Sequence, residues 1–214
     1  MLKVKKIFTI FMSRYRGPRL RIIRRLGKLP GLSSKVSKKL NTPGQHGSSF
    51  GKKLSQFGIR LKGKQKLRFH YGITERQLLN YVKRARRKKG SAGRLLLTLL
   101  EMRLDNIVFR LGFAPTIMAA KQLVSHGHIF VNNRLVSVPS FSCLPRDVVK
   151  VKNSIVSYEL VKRHLSSVET LLVPQHLLVN KDLLEARVLS FVNRKSISLL
   201  INELLVIEYY SRKL

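Results

Sequence analysis

The sequence predicts an α+β fold, and three observations predict it. Apolar residues recur at helical spacing between Thr74 and Gly127. Short β-branched and aliphatic runs follow from Ile129 to Val151, bounded by Asn, Pro and Asp. A final apolar stripe returns after Asn202, which is placed to cap it. A long basic stretch precedes all three.

The elements follow in chain order. Residues 1–12, MLKVKKIFTIFM, begin like a signal peptide, but the apolar run from Ile7 to Met12 is too short and Arg14 and Arg16 follow at once. Residues 13–60 are rich in Arg, Lys, Gly and Ser with few periodic apolar positions. They read as an extended arm with short helical pieces, which orders against a partner. Thr74 and Gln77 have the spacing of a capping box, and Glu75 stands at the positive helix end. Leu78, Leu79, Val82 and Ala85 form one stripe of a helix over 75–88, whose other face carries Lys83, Arg84, Arg86, Arg87, Lys88 and Lys89. Residues 90–93 break it. The apolar run from Leu95 to Met102 reads as a buried helix that continues from Arg103 to Leu111, with Gly112 as a left-handed cap. Thr116 caps a second short helix through Val124, which stops near Gly127.

Strands come next. Ile129–Val131 and Leu135–Val136 flank Asn132-Asn133-Arg134, a tight hairpin because Asn tolerates positive φ. Pro145-Arg146-Asp147 turns into a strand from Val148 to Val151. Ser157 to Leu165 suits a short helix, and Leu171–Val173 and Leu177–Val179 read as short strands around Pro174. The last helix runs from Glu203 to about Tyr210 and is expected to bury Leu204, Leu205 and Ile207.

Charge narrows the function. The 214 residues carry 43 Lys+Arg against 10 Asp+Glu, a formal +33. Residues 1–100 hold 28 of those cations and a single acid, Glu75, while residues 101–214 hold 15 cations and nine acids. A field of that size calls for a polyanion, and phosphate neutralisation with counterion release rewards dense Lys/Arg. A membrane surface would need a continuous basic amphipathic helix, and the most basic stretch is interrupted by Gly17-Pro18 and Gly27. No membrane partner is expected. One cysteine, Cys143, excludes a disulfide framework within the chain and a Cys-based zinc cluster. No nucleophile–base constellation and no P-loop appears, so no catalytic residues, cofactor or metal are assigned.

Several segments together resemble a known family. Arg103 to Val136, RLDNIVFRLGFAPTIMAAKQLVSHGHIFVNNRLV, resembles the small RNA-binding module named after ribosomal protein S-four. That module also occurs in RNA-modifying enzymes. MSRYRGPRLRIIRRLGKLPGL at Met12–Leu32, PGQHG at Pro43–Gly47, KQKLRFHYGITERQLLNYV at Lys64–Val82 and INELLVIEYYSR at Ile201–Arg212 resemble the ribosomal protein family itself. They are in the family's order, with wording nearest to plastid and cyanobacterial members. Asn133 stands where Gly is usual, residues 153–189 match poorly, and the zinc-binding cysteines of some relatives are absent.

The resemblance implies an arm over 1–50, a helical domain over 51–102 completed by 190–214, an RNA-binding module over 103–166, and an irregular segment with short strands over 167–189. It implies a structural constituent of the small ribosomal subunit that binds rRNA at a multi-helix junction of the 5′ domain, nucleates assembly and supports translational accuracy. Ribosomal protein S-five, other small-subunit proteins and the mRNA entrance follow as neighbours, and a plastid ribosome as location. A stand-alone RNA chaperone or RNA-modifying enzyme is the alternative.

By charge and resemblance together, the expected RNA contacts begin with Arg14, Arg16, Arg19, Arg24 and Arg25 in the arm and Gln45 and His46 in the PGQHG turn. Arg68, Tyr71, Lys83, Arg86 and Arg87 follow in the helical domain. Arg103 and Arg110 lie two turns apart and would share a helix face, extended by Lys121, His126, His128, Asn132 and Arg134. Other readings stand beside these. Arg103 can pair with Asp105 or Glu101, and Phe69 and Tyr71 can serve a core. His126 and His128 can pack a loop, touch RNA or, without further nearby ligands, least suit a metal.

Overall fold

The computed structural model describes residues 15, 17–39, 41–47, 54–167 and 173–211. Helix α1, Arg19–Leu26, follows Pro18 and ends at Gly27, whose φ of +92° suits glycine. Its apolar stripe Ile22 and Leu26, then Leu29 and Leu32, is buried in the main core. The backbone locks the same stretch in place, since Ile117 N–H donates to Gly31 O. This part of the expected arm is therefore core. Four apolar residues at spacings of three and four were signal enough, but the surrounding arginines masked them.

Helix α2, Gln56–His70, is capped by Ser55, and α3, Glu75–Arg87, opens on the anticipated reciprocal capping box of Thr74 and Gln77. Helix α4 spans Ala92–Glu101 and α5 spans Leu104–Arg110. The sequence suggested one helix through both. The chain instead turns extended at Arg103, at ψ 142°, because residues 139–143 run alongside and take over the hydrogen bonding. Leu104 N–H donates to Phe141 O, Asp105 N–H to Pro139 O, and Cys143 N–H to Met102 O. Every residue from 101 to 114 is buried. Helix α6, Ile117–Ser125, is capped by the Thr116 side chain as expected.

The sheet is antiparallel throughout, in the order β2-β1-β3-β5-β4. Its strands are β1 Ile129–Val131, β2 Arg134–Leu135, β3 Val148–Val151, β4 Leu177–Asn180 and β5 Glu185–Val188. Asn132 and Asn133 make the hairpin turn at φ 50° and 64°, so Arg134 belongs to the strand rather than to the turn. One sheet face, with Ile129, Val131, Val149, Val151, Ala186 and Val188, is buried. Helix α7, Ile155–Ser167, is longer than anticipated. Part of the expected strand at Leu171–Val173 lies outside the described residues.

Helix α8, Glu203–Ser211, packs on α2, α4 and α3, and so returns the carboxy terminus to the helical layer. Its docked residues are Val206, Tyr209 and Tyr210, whereas Leu204 is 58% exposed. Apolar residues surround this helix, so periodicity could not choose its buried face.

Candidate nucleic-acid interface

One set of cations stands bare. On α3 the stripe Leu78, Val82 and Ala85 is buried, and Lys83, Arg84, Arg86 and Arg87 project from the opposite side, exposed, followed by Lys88 and Lys89. None of the six has an ion pair among the described residues. Six neighbouring cations without an acid repel one another, so an anion bound there relieves a standing cost. Arg94, exposed on α4, is a further cation the sequence reading had not named. Arg19 and Arg25 of α1 are exposed, as are Gln45 and His46. Arg68 is half-buried, stacked 4.7 Å over Phe69 and 3.7 Å from Glu75. Arg14 and Arg16 lie outside the described residues.

A second set is inside the protein. Arg103 and Arg110, expected on the RNA face, are only 2% and 8% exposed. Arg103 forks onto Asp105, with Nε to Oδ1 at 3.0 Å and Nη2 to Oδ2 at 2.7 Å, and Nη1 donates to Tyr81 Oη at 2.6 Å. Arg110 grips Glu101 through Nε at 3.2 Å and Nη2 at 2.8 Å, and reaches Ser198 Oγ at 2.7 Å. Tyr71, expected to stack on bases, is 1% exposed and donates to Glu101 Oε1 at 2.6 Å. Asn106 Nδ2 completes the shell of Glu101 at 2.5 Å. Lys121 is half-buried, donating to Tyr71 O at 3.3 Å and to Gly72 O, with Asp105 at 3.7 Å.

These corrections have one cause. Two acids are buried where α4 meets α5, and a buried carboxylate holds its cations inward. Burial pushes the Glu101 carboxyl up, but Arg110, Tyr71 and Asn106 outweigh it and hold it below the ordinary glutamate range. Burial alone would lower the Arg103 and Arg110 guanidiniums, yet their acids raise both. The Tyr71 hydroxyl is raised by burial and by Glu101. Glu101 thereby ties Tyr71 after α2, Asn106 and Arg110 of α5, and through Arg110 the segment before α8. The two buried acids act as a joint.

Beyond the joint, the hairpin is firm. Asn132 Nδ2 donates to Asp147 at 2.7 Å and its Oδ1 accepts from Val148 N–H, so its side chain serves the turn first. Arg134 is exposed on β2. His126 is exposed, and its ring lies 6.2 Å from that of His128, whose Nδ1 is 2.9 Å from Ser157 Oγ. No group of three or more potential metal ligands occurs among the described residues. No described helix is long and apolar enough to cross a membrane.

Bare cations on one face, carried by helices that buried ion pairs at the α4–α5 break hold together, make a surface suited to a polyanion such as RNA. Residues 14–101 match the ribosomal protein S4/S9 N-terminal domain, and residues 102–149 match the S4 domain. The boundary between the two falls at the Glu101 joint. Small ribosomal subunit protein uS4c of Euglena gracilis is 63% identical over 204 residues, covering 94% of this chain and 100% of that protein. The uS4c protein of Mesostigma viride is 57% identical over 204 residues, with the same coverage. The uS4 protein of Thermosynechococcus vestitus is 57% identical over 202 residues, 94% of this chain and 100% of that protein. The chain belongs to the uS4 family, whose members are structural constituents of the small ribosomal subunit and bind its rRNA.

Proposed function

We propose that this chain binds rRNA directly in the small subunit of a plastid ribosome, at a multi-helix junction of the 5′ domain, and acts as a scaffold rather than an enzyme. The observation that carries this reading is the row of six exposed cations at the end of α3, without an ion pair among the described residues, on a helix that Arg103 ties to the α4–α5 break through Tyr81. A junction packs phosphates of several helices together, and rigid cations neutralise that crowding while favouring one geometry. In this reading the helical unit (51–102 with 190–214) and the module (103–166) present one composite surface, which includes Arg19, Arg25, Arg68, His126 and Arg134. Early assembly, support of translational accuracy through ribosomal protein S-five, and a place near the mRNA entrance belong to the same reading.

The test is binding of the full chain to a 5′-domain junction fragment across a salt series. Neutralising six or more phosphates, at about −0.7 per phosphate, gives a log–log slope steeper than about −4. A slope near −1 contradicts the extended phosphate footprint. Sedimentation adds a second readout: a scaffold stays on salt-washed small subunits, whereas a chaperone or modifying enzyme washes off.

A further inference from the structure

Arg24 was expected to touch RNA, yet its guanidinium is turned onto its own chain. Nε donates to Asn41 O at 2.8 Å and Nη2 to Thr42 O at 3.4 Å. The loop so held, residues 41–47, is closed on itself. Thr42 Oγ1 donates to Gly47 O at 3.0 Å, and Gly47 N–H donates to Gly44 O at 3.1 Å. A Cβ on Gly47 would stand 1.9 Å from Thr42 O, and Gly44 sits at φ +107°, so both turns of the ring require glycine. Two longer side chains stand exposed at its tip, Gln45 and His46. No acid precedes Glu75, so no carboxylate in this part of the chain competes for Arg24.

We propose that Arg24 is a positioning residue for RNA binding. It clamps the 41–47 ring to α1, so that the Gln45 amide and the His46 imidazole meet RNA as a preset pair. The inference rests on the rRNA-binding reading above. An amide offers a donor and an acceptor and carries no charge, which suits base edges and ribose hydroxyls rather than phosphate neutralisation. Holding the ring before binding removes an ordering cost that a loose loop would meet on the RNA. The planar fork of arginine spans two successive carbonyls, and the point charge of lysine does not reproduce it. Arg25, next along the helix, is exposed and makes no such clamp among the described residues, so it serves as the comparison expected to contact phosphate.

The experiment compares the full-length parent with Arg24→Ala, Arg24→Lys, Gln45→Ala, Arg24→Ala/Gln45→Ala and Arg25→Ala. Binding to the junction fragment is measured over a salt series, and amide hydrogen exchange is followed in residues 41–47. Arg24→Ala and Arg24→Lys should each weaken binding by about tenfold with the salt slope of the parent, and exchange in the ring should speed up. Gln45→Ala should do the same to binding, and adding Arg24→Ala to it should cost little more, because both remove one preset contact. Arg25→Ala should flatten the slope by about 0.7–0.9 and leave ring exchange alone. The proposal is overturned if Arg24→Ala flattens the slope as Arg25→Ala does, since Arg24 is then a phosphate contact. It is equally overturned if Arg24→Ala binds like the parent while Arg25→Ala does not. If no variant changes binding while the parent keeps its steep salt slope, this inference falls and the rRNA-binding reading stands; if the parent itself binds with a slope near −1, that reading falls and this inference with it.

Discussion

Helices α3 and α5 both carry arginine in their last turn, and the two arginines do opposite things. Arg87 of α3 is exposed, without an ion pair among the described residues, in a row of cations that leads off the helix. Arg110 of α5 is buried against Glu101 and spans from there to Ser198. The side chains are identical and so is their place in a helix. The difference is made by the acids. Glu75 is the only acid of the first hundred residues, and it is spent on Lys64, Arg68 and Tyr210. Glu101 and Asp105 are buried at the α4–α5 break and take Arg110 and Arg103 with them. In a chain this basic, the rare carboxylates draw Arg103 and Arg110 inside, whereas backbone carbonyls hold Arg24.

The largest effect should come from breaking the joint. Arg110→Ala strands Glu101 as an uncompensated buried charge, and removing one partner of a buried pair costs about 3–5 kcal/mol. Arg87→Ala should stay within about 0.5 kcal/mol of the parent, as exposed substitutions do. Denaturant unfolding of both variants measures the difference. Equal stabilities would mean that the joint holds nothing.

A second variant tests which part of the expected arm belongs to the core. Leu29 is fully buried, so Leu29→Ala should cost about 2–5 kcal/mol. Removal of residues 1–50 should therefore destabilise the fold, contrary to what the basic composition suggests. A melt like that of the parent for Leu29→Ala would return the segment to the arm.

Acid should act on the buried histidines and acids. His70 is buried, and burial, only partly opposed by Glu101, lowers its imidazole from 6.5 to about 4. Burial lowers His176 and His128 as well. A folded-state pKa below the unfolded value means that unfolding takes up protons. The stability is fully present above 6.5 and is lost as pH falls toward about 4, with ~3 kcal/mol from His70 alone. Glu101 and Glu75, both held below 4.5, add losses at still lower pH. His70→Phe should flatten the decline between pH 6.5 and 4 in a urea series, and an unchanged decline would clear His70 of it.

Much of this fold was legible locally. The Thr74–Gln77 box, the Thr116 cap, the Asn132-Asn133 turn and the strand from Val148 to Val151 all came from short-range chemistry and stand where expected. Helix α2 was not derivable from periodicity, because its buried residues are Lys64, Leu67 and His70. Lys64 goes inside only because Glu75 lies 3.0 Å away and the Tyr209 ring 4.7 Å away, partners that are distant in sequence or brought by other helices. The assignment of Arg103 and Arg110 to one outward face assumed a continuous helix. Residues 139–143 break that helix, and no pattern within 95–111 reveals them. Arg103 pairing with Asp105 was the reading that held.

The smallest effect on stability should give the cleanest effect on binding. Lys83→Ala, Arg86→Ala and Arg87→Ala remove exposed charges that touch no acid, so each should melt like the parent. If each cation neutralises one phosphate, each substitution should flatten the salt slope by about 0.7–0.9, and the triple variant by about 2–3. Arg103→Ala supplies the counterpart. It should unfold more easily, because Asp105 loses its fork, while the slope of the molecules that remain folded stays that of the parent. Binding isotherms at four or more salt concentrations, run below the melting temperature of the weakest variant, separate the two behaviours. A flattened slope for folded Arg103→Ala would place a phosphate at the joint. Unchanged slopes for the α3 variants would mean that RNA lies on another face, and that the row on α3 is only solvated.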